Sequence, residues 1–404
     1  MKKLLIPLSI LLLVSLISIS CSSGSTSTAG AKTLTIGEVD ALTGMFSEIM
    51  KYVPDGEQLA KDYINNKGGI TISGQKYVID IMVRDSKSTP EGATAATNEL
   101  VLDKQLKFIA GTGPAFLTTA INAVTEPAGA LYVAIYQNGM KTEMGPKYPL
   151  KFVGSNDSNS GQATALTFLK QKYPNVKNIA FILVDDGQIK DNDPVVRATA
   201  TKLGLNIIGD TVGYAPNTVD YTPYAQKAIA LNPDAIMIGN GVSAWFGLYL
   251  KTIRGLGYTK PVFTCSYPIL GDVMQIAGDA ANGFFGNSIP SDLNTPDMPQ
   301  ITKDVMDMAI KKYGLLNTLH VQGFNAVYTL VQAIQAAQSL DPKVVAAKWE
   351  KMDKIDTLFG SGKMGGQQTF GVNHNVYFKT PVSVINNGKI EFGAWIPLDK
   401  SVMP

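Results

Sequence analysis

From Thr33 to Tyr267 the sequence alternates between β-rich runs and helical patterns at short intervals, and it goes through that rhythm twice. "KTLTIGEVDALTG" is extended and ends in a Gly-containing loop. In "PDGEQLAKDYINNKGG", Leu59, Ala60, Tyr63 and Ile64 share one helical face, and Gly68-Gly69 stop the helix. "KYVIDIMVRDS" is the next strand, and "PEGATAATNELVLDK" is a helix with Pro90 at its start. "LKFIAGTG", "FLTTAINAVTEPAG" and "LYVAIYQN" continue as strand, helix and strand. Such alternation calls for a parallel sheet wrapped by helices. After the polar segment "GSNDSNSGQ" the rhythm restarts with "ATALTFLKQKY" and "VKNIAFILVDDG", and it runs on to "DAIMIGNG", "AWFGLYLKTIRGLG" and "PVFTCSY". The chain is therefore expected to be α/β, with two Rossmann-like parallel-sheet lobes. The last third adds three helices and then strand-like pieces at "VYFKTPVSVINNGKIEFGAW", where "NNGK" is a hairpin turn.

A chain of 404 residues, 45% hydrophobic and 17% charged, can bury a large core in about two to three domains. Lys2 and Lys3 account for the whole excess of 35 basic over 33 acidic residues, so the folded body has no basic face for nucleic acid. Both lysines open a leader. The apolar run Leu4–Ile19 that follows is shorter than the about 20 residues a spanning helix needs, and it reads as a secretory signal over residues 1–20. Ser18-Ile19-Ser20-Cys21 is similar to the bacterial lipobox, with Ser18 where leucine is usual. Cys21 is thus expected to carry lipid and hold the membrane, and residues 21–30, "CSSGSTSTAG", to serve as a flexible tether. The other cysteine, Cys265, reads as a small buried hydrophobe.

The motifs give little support for catalysis. "GTGPAF", Gly111–Phe116, lies between a strand and a helix but lacks the third glycine of a dinucleotide fingerprint. What it offers is exposed backbone N–H groups for an anionic ligand group. "FGSGKMGG" is no phosphate loop, since Met364 follows Lys363, and it reads as a crossover or loop. "VDDGQIKDND" lacks calcium-loop spacing. Its Asp186 is a candidate to face a cleft at the C-terminal end of the sheet. Of the two histidines, His374 reads as a surface loop residue, and His320 is a candidate to look into an interlobe cleft. Neither sits in a zinc-protease pattern, and there is no nucleophile elbow. No cofactor or metal is expected.

Together, "IGEVDALTG", "GEQLAKDYINNKGGI", "VIDIMVRDSKSTPEGATAATNELV", "FIAGTGP", "LNPDAIMIGNG" and "GFNAVYTLVQAI" resemble the branched-chain amino acid-type solute-binding proteins of ABC importers, from about Leu34 to Trp395. The resemblance implies the type I periplasmic binding fold: two lobes, three crossovers and a ligand between them. Lobe one would be residues 31–151 plus 288–357, and lobe two 152–287 plus 358–404. It also implies a non-enzymatic, monomeric protein that captures a small molecule by hinge closure and presents it to a membrane permease.

The residues that grip an amino acid in that family are replaced here. Its carboxylate-binding serine falls near Ala115-Phe116, beside Gly113. Its threonine falls near Asn138, its ammonium-neutralising acid at Tyr267, and its tyrosine after the paired acids at Gly187 or Gln188. An ammonium buried without a carboxylate is costly. Aromatic residues crowd the same loops: Phe46, Phe116, Tyr136, Trp245 (four residues after Gly241, itself a candidate lining residue) and Tyr267. The expected ligand is therefore a small aromatic or otherwise apolar carboxylate. The rival readings are branched-chain or aliphatic amino acid binding, a sensor that reports ligand to a membrane receptor, and a secreted amidase-like enzyme.

Overall fold

The computed structural model describes residues 30–138, 141–185, 187–290 and 292–398. The expected signal peptide, Cys21, all of the tether but Gly30, and Asp186 lie outside the described residues. Among those described, the strands form two sheets, as the alternation predicted. The first runs Ile355–Thr357, Gly360–Gly365, Asn375–Tyr377, Lys151–Val153, Leu131–Ala134, Phe108–Ala110, Lys32–Asp40, Gln75–Asp85 and Ile70–Ile72. The second runs Lys389–Ile396, Thr380–Asn386, Phe285–Asn287, Val262–Thr264, Ala235–Ile238, Asn178–Val184 and Asn206–Ile207, with Val212–Tyr214 also paired to Asn178–Val184. The central pairings are parallel and the outer hairpins antiparallel. Central strands such as "LYVA" and "AIMI" are buried at every position, because helices cover both faces of a parallel sheet.

This strand order corrects one expected boundary. Gly360–Gly365 and Asn375–Tyr377 belong to the first sheet, so the third crossing falls between Tyr377 and Thr380 rather than at 357. "FGSGKMGG" is accordingly a strand, not a loop. Its glycines are required there: a Cβ on Gly362 would lie 2.7 Å from the Tyr377 carbonyl, and one on Gly365 would lie 2.5 Å from the Tyr377 ring. His374 is corrected too. It is 1% exposed, its ring is stacked 4.0 Å from that of Phe152, and its Nε2 lies 2.6 Å from Glu350 Oε1. Burial lowers its pKa despite that carboxylate.

The first crossing is tied to the third, and the second to the strand that follows the third. Asn156, on the first, donates to Phe378 O (3.4 Å) and Thr380 Oγ1 (2.5 Å) on the third and accepts from Phe378 N (3.3 Å). Asp157 Oδ1 caps the helix Ser158–Lys172 by accepting from Ser160 N, while its Oδ2 accepts from Tyr377 Oη and Asn375 Nδ2. Ser288, on the second crossing, donates through its N–H to Pro381 O and accepts at its carbonyl from Ser383 Oγ. In the first lobe, the helices Tyr52–Asn66 and Thr318–Ala337 touch backbone to backbone. A Cβ on Gly56 would lie 2.1 Å from His320 O, and one on Gly323 2.3 Å from Val53 O.

One group in the first lobe breaks the apolar pattern. Glu38 and Asp40 on the first strand and Glu57 on the helix beneath it are all 0% exposed. Among the described residues no N–H or hydroxyl donor reaches either oxygen of Glu38 or Glu57, so these carboxyls satisfy each other with a proton between them. Burial pushes Glu38 up to about 8 and Asp40 up to about 7, and it raises Glu57 well above the usual carboxylate range. The folded protein thus keeps protons that the unfolded chain releases above about pH 4 to 5. Their contribution is fully present below that range and lost as pH rises through about 7 to 8, at on the order of 1.4 kcal/mol per pH unit for each proton retained. Urea unfolding should show the wild type losing stability from pH 5.5 to 8. Glu57→Gln, whose amide donates permanently to Glu38, should show a shallower decline; parallel curves would contradict the shared proton.

Candidate functional site

The C-terminal ends of the first-lobe strands carry three loops toward the second lobe. In the first, Asp85 Oδ1 accepts from the N–H groups of Leu42, Thr43 and Lys87, and its Oδ2 accepts from Thr43 Oγ1. Burial alone would raise its pKa, but these bonds outweigh it and hold the carboxyl low. They pin the turn that presents Phe46, whose N–H donates to Ser88 Oγ. In the second loop Gly111 (φ +112) and Thr112 (φ 48) both take left-handed backbone, and Pro114 leads into the helix Ala115–Ala128. Leu117 N and Thr118 N donate to Pro114 O, and no side chain caps that helix start, which leaves the N–H groups of Ala115 and Phe116 without an acceptor in the helix. Phe116 is exposed and lies 5.7 Å from Phe46, ring to ring. Gly113 O accepts from Asn138 Nδ2, which joins the second loop to the third.

The third loop, Tyr136–Asn138, makes the interlobe contacts. Tyr136 Oη donates to Asn240 Oδ1 (3.2 Å), and its ring meets the edge of Tyr267 at 5.8 Å. Asn138 O accepts from Asn192 Nδ2 (2.8 Å), and Gln137 O accepts from Ser158 N (3.0 Å). On the second lobe these partners form one neutral network. Asn240 Nδ2 donates to Ser158 Oγ and to Gln188 Oε1, Ser158 Oγ donates to Asn192 Oδ1, and Gln162 Nε2 donates to Asn192 Oδ1. Tyr267 is set by Gly161: a Cβ there would lie 2.6 Å from Cys265 O and 3.4 Å from the Tyr267 ring. Burial raises the pKa of both phenols, Tyr136 and Tyr267, so both stay neutral. Cys265 itself is fully buried, with its thiol pushed up to about 12.

The acidic groups beside this network are already engaged. Asp157 holds the helix cap and Tyr377, and burial raises its pKa. Glu143 accepts from Asn138 N, Asn138 Nδ2 and Thr118 Oγ1, and burial raises it as well.

The structure thus brings Gly113, Tyr136, Asn138 and Tyr267 into one neighbourhood, with Phe46, Ala115 and Phe116 along the same edge of lobe one. Gly241 and Trp245 open the helix Ser243–Gly255, where Trp245 packs edge-on against Tyr214 at 5.9 Å; that contact belongs to the second-lobe aromatic cluster. His320 is placed elsewhere. It is 0% exposed, closes the capping box of Thr318–Ala337 with Asn317, and lies between Tyr52 and Tyr313, so the expected view into the cleft gives way to a capping role. Burial lowers its pKa to about 4. Sequence reasoning missed Ser158, Gln162, Asn192 and Asn240. The available signal was "GSNDSNSGQ", too long a polar run to be only a connection and buried at every position.

A family model described as periplasmic binding protein matches residues 33–383. The chain belongs to the periplasmic binding protein family. Its curated relatives include the Leu/Ile/Val-binding protein BraC3 of Rhizobium johnstonii, 23% identical over 82% of this chain and 87% of that one. Solved structures that share its fold include the two that follow. A leucine-binding protein LivK of Thermotoga maritima has a TM-score of 0.73 at 19% identity, covering 90% of this chain and 99% of that one. A solute-binding protein of an ABC transporter from R. palustris, in complex with benzoate, has a TM-score of 0.69 at 17% identity, covering 91% and 98%. As a periplasmic binding protein the chain binds a small solute outside the cytoplasm and is not an enzyme. Among the described residues no helix is long and apolar enough to cross a membrane.

Each interlobe hydrogen bond is worth about 1 kcal/mol net, roughly a fivefold bias toward the closed form. Asn192→Ala and Asn240→Ala should therefore each shift the protein toward an open form. Small-angle scattering should show this as an increased radius of gyration, and an unchanged radius in both variants would contradict the assignment.

Proposed function

We propose that this periplasmic binding protein closes its lobes on a small aromatic or otherwise apolar carboxylate and delivers it to an ABC permease. The observation that carries this reading is the chemistry of the interlobe contact: neutral amides, hydroxyls and phenols, with Asp157 and Glu143 already bonded within the protein. A zwitterion would bring an ammonium to a place where these described carboxylates are already committed. An amine-free acid asks only for donors at one end, and the first N–H groups of Ala115–Ala128 supply them. Tyr136, Tyr267 and the Phe46–Phe116 pair offer ring faces and edges for the rest of the ligand. The relative bound to benzoate supports the same class.

The second reading, a branched-chain amino acid, is favoured by the names of the Leu/Ile/Val-binding relatives. A thermal-shift panel separates the two. Benzoate-type acids should raise the melting temperature by several degrees and leucine should leave it unchanged; a strong leucine shift would reverse the assignment. Tyr267→Ala should weaken the aromatic acid by about tenfold or more, the scale of a lost aromatic contact.

In this reading Cys21 is lipidated and tethers the binding protein beside its permease. Cell fractionation should find the wild type with membranes and Cys21→Ser released from them; identical partition of the two would rule out the anchor.

A further inference from the structure

Behind the Asn138 loop, on the flank of lobe one, a pocket of about 200 Å³ is lined by Thr119, Asn122, Ala123, Thr142, Glu143, Tyr148 and Lys151. Its lip is exposed at Thr119, Ala123 and Thr142, while Asn122, Glu143 and Lys151 are buried. Lys151 is 0% exposed, yet among the described residues its Nζ has neither a hydrogen-bond partner nor a carboxylate within ion-pair distance. The Tyr132 ring lies 5.9 Å from the ammonium. Glu143 acts on Lys151 through space, but its oxygens serve Thr118 and the Asn138 loop. A buried ammonium with three unused donors demands an acceptor. Asn122 stands beside it with its amide oxygen also unpartnered, free to turn its nitrogen inward.

We propose that this pocket is a second binding site, for a small monocarboxylate of acetate to butyrate size. The carboxylate accepts from Lys151 Nζ and the Asn122 amide at the floor, and the short carbon chain lies against Ala123 toward the lip. A pocket of about 200 Å³ holds a carboxylate of this size in full. The single cation, with Glu143 nearby, disfavours a dianion. The site is separate from the interlobe network, although Glu143 brings its occupant within one side chain of Asn138.

Calorimetric titration of the intact protein with sodium acetate and sodium butyrate, at constant ionic strength, tests this. The wild type should bind one equivalent saturably. Lys151→Met should weaken binding at least tenfold, and Ala123→Leu, which narrows the mouth and leaves Lys151 in place, should do the same. Tyr267→Ala should leave it unchanged. Should Lys151→Met fail to fold, Ala123→Leu decides, with its melting temperature as the control. Non-saturating heats in the wild type would overturn the proposal. So would affinity that survives Ala123→Leu or is lost in Tyr267→Ala, which would place the acid between the lobes. Chloride binding as tightly as acetate would overturn the carboxylate class.

Discussion

Two rigid α/β lobes make a binding protein only if their relative motion is restricted, and here the restriction comes from hydrogen bonds between the crossings. Asn156 joins the first crossing to the third in both directions, and Ser288 ties the second to the strand Thr380–Asn386 that follows the third. Asp157 then carries the constraint into function. The same carboxylate that takes hydrogen bonds from Tyr377 and Asn375 at the third crossing caps the helix Ser158–Lys172. That helix delivers Ser158 and Gln162 to the interlobe network and, through Gly161, sets Tyr267. Hinge and binding surface are therefore parts of one bonded unit, and closure moves the second-lobe groups together.

Charge is kept out of the contact by being used beside it. Glu143 holds the Asn138 loop from behind, and Asp85 holds the Phe46 turn. What remains across the gap is amide, hydroxyl and ring, a surface that forms directional bonds without the desolvation cost of an ion. The buried carboxyls Glu38, Asp40 and Glu57 lie on the first strand and the helix beneath it, where burial, added to by their mutual repulsion, raises their pKa values.

Much of this was legible in the chain. The doubled alternation predicted two sheets, Gly68-Gly69 end a helix with left-handed backbone, and Asn387-Gly388 make the tight hairpin that "NNGK" called for. The failures share a cause. "FGSGKMGG" has no side-chain pattern, because the Tyr377 backbone and ring take the space its side chains would occupy. His374 looks polar in sequence but spends that polarity on Glu350 and stacks its ring on Phe152. "GSNDSNSGQ" reads only as a polar segment, because local composition cannot reveal that its partners arrive from residues as far as 224 positions away. Aromatic candidates were legible as types but not as addresses: Tyr136 and Tyr267 meet across the lobes, whereas Trp245 packs within one.

The ends of the sheets carry a further consequence. Among the described residues, four of the five border strands, Ile355–Thr357, Ile70–Ile72, Asn206–Ile207 and Val212–Tyr214, are only two or three residues long. The fifth, Lys389–Ile396, is longer, but it carries Lys389 and Glu391, and its pairing slips register between Val382 and Ser383. Short, charged or irregular borders are poor templates for a neighbouring chain. A protein that must keep opening and closing can then be stored at high local density without fibril-like association, and a substitution that straightened or neutralised the Lys389–Ile396 border would show itself first as aggregation, not as lost binding.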